Sequence, residues 1–139
     1  MLTVTKHFGF EACHHLPYYE GACHNVHGHS YKLDVTVGGQ IIKDGPKQGM
    51  IIDFKDLKKI VKENVVDKLD HSDLNEFYAN PTAELMVVDI AYSIMQKLPK
   101  EVYLVSVKLW ETEDSYAEYI PIYDSLRDNL LQPVLQPAT

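Results

Sequence analysis

Cysteine is scarce in this protein: Cys13 and Cys23 are the only two in 139 residues, too few for a disulfide framework. One bridge between them is open. With histidines beside both, and in a reducing compartment, a buried thiol and a reactive thiol fit better. Long hydrophobic runs are also missing, and none approaches the ~20 residues that a membrane span requires. Positive charge is in deficit, with 13 Lys and Arg against 20 Asp and Glu for a formal net charge of −7. That balance argues against unguided binding to nucleic acid or to an anionic membrane surface. An anionic substrate would need a local positive potential, from a metal and a few side chains. There is no repeat, linker or low-complexity block, and no glycine-rich loop of the kind that cradles phosphates. The first residues enter a strand-like alternation with no charged-then-apolar leader, so a cytoplasmic location is expected.

What is present is an ordinary globular balance, 45% hydrophobic and 24% charged. The length suits one domain, expected over 1–139. Its most distinctive stretch is Cys23-His24-Asn25-Val26-His27-Gly28-His29, three histidines and a thiol in seven residues. It runs into Tyr31-Lys32-Leu33-Asp34-Val35-Thr36-Val37, whose alternation predicts a half-buried strand. On a strand His27 and His29 share a face and can converge on one ion, whereas a helix would turn them about 200° apart.

Before it, Phe8, Phe10, Ala12 and His14 share a parity, predicting a first strand that ends at His14 with its phenylalanines facing a core. Pro17 and Gly21 mark the loop that delivers Cys23. An antiparallel pairing of these two strands would set His14 beside His27 and His29. Asp53 is a plausible N-cap for a helix carrying Phe54, Leu57, Ile60, Val61 and Val65 and ending near Leu69. Asn80-Pro81 predicts a second start, Asn as N-cap and Pro as first helical residue, with a stripe from Leu85 to Leu98. Val102–Thr112 reads as a third strand, with Val105, Val107, Leu109 and Glu111 on one parity. A hairpin at Glu113-Asp114-Ser115 leads to a fourth strand, Tyr116–Ile120. The expected architecture is α+β, a four-stranded antiparallel sheet with two helices on one face in the order ββααββ. Residues 121–139 form a C-terminal extension with no role assigned.

Three imidazoles suit zinc, which in catalytic sites takes three protein ligands and keeps a fourth position open. Cys23 has two roles open to it: a fourth ligand that closes a structural site, or a free thiol whose pKa falls near a cation and which then moves protons. The domain has core enough to fold without a metal staple, which favours the second. Asp70 next to His71 can orient an imidazole that exchanges protons, although both residues also suit a helix C-terminus. Glu111, ending the apolar parity of its strand, can accept two N–H bonds from a guanidine-like edge. Cys13 reads as a small core residue. His7, His15 and His24 have no partner at ligand spacing.

Taken together, these residues resemble the 6-pyruvoyl-tetrahydropterin synthase/6-carboxytetrahydropterin synthase superfamily. The resemblance runs from about Phe8 to Tyr119. It rests on Phe-Glu-Ala-Cys-His at 10–14, Cys-x3-His-Gly-His at 23–29, Gly-Met-Ile-Ile-Asp-Phe at 49–54, Leu-Asp-His at 69–71, Asn-Pro-Thr-x-Glu at 80–84, and Glu111. It implies the tunnelling fold, with homo-oligomers built on trimers, often hexamers, and active sites at subunit interfaces. It implies Zn2+ on His14, His27 and His29, Cys23 as the proton-moving thiol, and Asp70 and His71 as a dyad from a neighbouring subunit. Glu111 would anchor a pterin ring, with Thr82 and Glu84 lining its pocket. The three residues between Cys23 and His27 look like the branch that makes 6-carboxytetrahydropterin for queuosine and 7-deazapurine biosynthesis. Animal-type 6-pyruvoyl enzymes carry a longer insertion there. The implied substrate is 7,8-dihydroneopterin triphosphate.

Overall fold

The computed structural model describes residues 1–121, so the extension expected over 121–139 lies, apart from Pro121, outside the described residues. Strand β1 (Thr3–His14) pairs antiparallel with β2 (His27–Gly39). A helical stretch follows as α1 (Phe54–Val61), a π-helical segment Lys62–Val66, and α2 (Asp67–Leu69). Then come β3 (Ser72–Asp73), α3 (Ala83–Met95), β4 (Val102–Thr112) and β5 (Ser115–Tyr119). The strands lie side by side in the order β3-β1-β2-β4-β5.

The core lies between the helices and one face of the sheet. Phe10, Leu33, Val35, Val107 and Leu109 from the strands meet Leu57, Val61, Met86, Ile90 and Ile94 from the helices, all almost fully buried. The π-helical turn admits one extra residue, so both Val65 and Val66 reach this core and the apolar stripe resumes at Leu69. Asp53 caps α1 as the sequence suggests, its Oδ1 accepting the Lys55 N–H at 2.9 Å. No helix among the described residues is long and apolar enough to cross a membrane.

Four expectations change. The sheet has five strands, because Ser72 and Asp73 add a short parallel rung beside Ala12 and Cys13. Two residues without apolar alternation carry no strand signal, and backbone pairing alone makes this one. Helix α3 starts at Ala83, with Thr82 as N-cap accepting the Leu85 N–H at 3.2 Å. Asn80 instead closes a tight turn through its carbonyl and the Thr82 N–H, 2.8 Å, which leaves Pro81 before the cap. In β4 the register slips opposite Thr36 and Val37. Ser106 and Val107 are consequently both buried and Val105 leaves the core parity. Finally, Cys13 is half-buried on the sheet face away from the core, not a core residue.

Candidate metal centre and active site

The β1–β2 register sets His14 opposite His27 and Ala12 opposite His29. All three imidazoles stand on the core-facing side at the end of the sheet. Their ligand nitrogens lie within 4.8 Å of one another. His14 is completely buried, so each of its nitrogens needs a partner. Nδ1 faces the Pro81 carbonyl at 2.9 Å, with the Tyr31 hydroxyl at 3.3 Å. His27 Nδ1 faces the Asn25 carbonyl at 2.7 Å. A carbonyl only accepts, so both rings carry their proton on Nδ1 and turn the Nε2 lone pair inward. The two Nε2 atoms are 3.1 Å apart, a contact that calls for a positive charge between them. His29 Nε2 is buried with no hydrogen-bond partner, although Glu111 Oε1 stands 3.3 Å away. Burial lowers the His29 pKa, outweighing the carboxylate of Glu111, while His14 and His27 push the same way as burial. Two imidazoles that turn Nε2 lone pairs inward, beside a third whose buried Nε2 has no hydrogen-bond partner, fit a metal ion.

Glu111 is the unpaired extra residue of a bulge in β4, between Trp110 opposite Tyr116 and Thr112 opposite Ser115. Such bulges re-aim side chains. Here the carboxylate turns onto the imidazoles, with Oε1 at 3.2 Å from His14 Nε2. Contact with His14, and the neighbouring imidazoles, hold its pKa below the ordinary value against partial burial. Cys23 sits in a 3₁₀ turn, Ala22–His24, half-buried and unbridged. Among the described residues its sulfur is not one of the converging atoms.

Asp70 and His71 form a pair, Oδ1 to Nδ1 at 3.0 Å, with the His71 ring 81% exposed. His71 is the one non-glycine residue with positive φ among the described residues, at 58°, a conformation seen at functional sites when the surroundings impose it. Its N–H donates to the Glu11 carbonyl, and Asp70 Oδ1 accepts the Glu11 N–H at 2.9 Å. That amide is the main reason the Asp70 pKa is lowered. His71 lines a cavity of about 490 Å³ with Glu11, Cys13, His29, Ser30 and Asp73. The alternation of β1 and β2 puts the side chains of Glu11, Cys13 and Ser30 on the sheet face opposite those of the three imidazoles.

Residues 3–121 match the family model described as 6-pyruvoyl tetrahydropterin synthase. The chain belongs to the 6-pyruvoyl tetrahydropterin synthase family. It is 32% identical to the 6-carboxy-5,6,7,8-tetrahydropterin synthase of Haemophilus influenzae, over 86% of this chain and 99% of that one. It is 39% identical to the enzyme of the same name from Synechocystis, over 86% and 93%. The fold matches the solved 6-pyruvoyl tetrahydropterin synthase of Caenorhabditis elegans with a TM-score of 0.74, at 24% identity over 87% and 96% of the two chains. Against the family motif, Thr82 caps α3 and Glu84 is exposed on its first turn. The link from this segment to the imidazoles is the Pro81 carbonyl. Sequence reading misses that contact because a backbone acceptor leaves no signature in residue identity. It misses Tyr31 too, whose alternating position reads as core.

Proposed function

We propose that this protein is a zinc-dependent lyase converting 7,8-dihydroneopterin triphosphate to 6-carboxy-5,6,7,8-tetrahydropterin, with release of acetaldehyde and triphosphate, in queuosine and 7-deazapurine biosynthesis. The observation that carries the reading is the three-imidazole group with Cys23 nearby in sequence but outside it. A site that the thiol does not seal suits catalysis, and a closed structural site does not. The similarity to two 6-carboxytetrahydropterin synthases over most of their length supports the product.

In this reading His14, His27 and His29 hold the ion, which supplies Lewis-acid polarisation of oxygens on the substrate's three-carbon arm. Cys23, as thiolate, takes a proton from a carbon of that arm. Asp70 fixes the His71 ring through Nδ1 and leaves Nε2 free to return protons elsewhere on the arm. Glu111 stays ionised, an acceptor for the N–H edge of the pterin, and Thr82 and Glu84 belong to the pocket wall. His71 is open to solvent on the sheet face away from its own subunit's imidazoles. In this reading the dyad serves a neighbouring copy, in a trimer-based homo-oligomer, and the exposure of His71 supports it.

The test is product identification with purified protein and dihydroneopterin triphosphate. Acetaldehyde with a carboxypterin is expected. A pyruvoyl product that keeps all the carbons of the arm would place the protein with the 6-pyruvoyl enzymes, and zinc binding without turnover would make it a binding module.

A further inference from the structure

Strand β1 ends at His14, and strand ends fray unless their backbone groups are paired. The next residue is paired by a side chain. Asn75 Oδ1 accepts the His15 N–H at 2.9 Å, and Asn75 Nδ2 donates to the His15 carbonyl at 3.0 Å. A carboxamide offers the same donor and acceptor as a peptide unit. Asn75 thus adds one more rung to the parallel ladder that Ser72 and Asp73 make with Ala12 and Cys13. It is held in turn, its own N–H donating to Asp73 Oδ1 at 3.0 Å. The far end of the same segment is tied to Glu11 by Asp70 and His71. On the other side of the joint, the Leu16 N–H donates to the Cys23 carbonyl at 2.8 Å. The His15 backbone therefore links the imidazole of His14 to the loop that carries Cys23.

We infer that Asn75 is a positioning residue for the metal ligand His14, acting through the backbone of His15. The inference rests on the zinc reading above. Its test compares the full-length protein with N75A by zinc titration against a chromophoric chelator, with circular dichroism to confirm the fold and the cobalt(II) d–d spectrum to report ligand geometry. Outer partners of metal ligands typically change affinity about 10- to 100-fold, and a loss near the lower end is expected, with an altered cobalt spectrum. A folded N75A that binds zinc as tightly as wild type overturns the inference. If N75A does not fold, N75D takes its place with the same two outcomes: it keeps the acceptor for His15 N–H and sets a carboxylate oxygen, which cannot donate, against His15 C=O. Amide exchange on the wild-type protein adds a measurement that needs no variant and no metal. The His15 amide is expected to exchange as slowly as the β1 amides, and rapid exchange overturns the clamp. Wild-type protein that binds no zinc would instead sink the metal reading, with the His15 amide still reporting on Asn75.

Discussion

At the residue scale the burden falls on protonation. His14 has no exposed surface, so its proton must sit where an acceptor waits, and the Pro81 carbonyl is that acceptor. The tautomer follows, and with it a lone pair aimed at His27 and His29. Cys23 stands outside this group, so C23A should fold and keep wild-type zinc content while turnover drops by about 10²–10⁴, the usual worth of a positioned proton-transfer group. Metal analysis beside a turnover assay checks this, and loss of zinc in C23A would make the sulfur a ligand. Asp70 makes a second prediction. Its folded pKa lies below the ordinary 3.8, chiefly through the Glu11 amide. A depressed carboxyl stabilises the fold fully above its unfolded pKa and loses that contribution as pH falls through the folded one. The stability gap between wild type and D70N should be flat above about pH 5 and close below about pH 4. Urea unfolding midpoints across that range measure it, and a gap independent of pH would contradict it.

At the element scale, the two capped helices differ in what their caps hold. Asp53 starts α1 and holds only the Lys55 amide, whereas Thr82 starts α3 directly after the residue that orients His14. D53A and T82A should each cost about 1 kcal/mol of stability. Only T82A should also weaken zinc binding, because its cap sets where the Pro81 carbonyl points. Thermal melts paired with chelator competition separate the two effects. Asn80-Pro81 places the helix start a little early, since the pair signals a start without saying which residue caps it. The parity of β4 misleads for a related reason. A bulge inserts one residue and flips alternation, and nothing in Val105 or Glu111 announces it. The second of the two bulges is what turns Glu111 onto the imidazoles.

At the scale of the whole molecule, the sheet separates the two halves of the proposed machinery. The side chains of His14, His27 and His29 point to the core-facing side, whereas Glu11, Cys13 and Ser30, which line a cavity together with His71 and His29, point to the other. If each site joins the imidazoles and thiol of one copy to the dyad of another, C23A and H71A should each be inactive alone. Mixed after dissociation and reassembly, random pairing in a closed ring should restore about one quarter of wild-type activity. A mixture as dead as its parents would place both halves in one subunit. The meeting of His14 with His27 and His29 is legible in the sequence, because strand alternation is local and three imidazoles at matching strand ends have few other arrangements. The Asp53 cap and the plan of helices backed by a sheet are legible on the same local grounds. Tertiary structure alone decided the fifth strand, the bulge under Glu111, the Pro81 carbonyl on His14 and the Asn75 clamp. Each of these depends on backbone groups meeting partners that no local pattern points to, and backbone groups are nearly the same at every position.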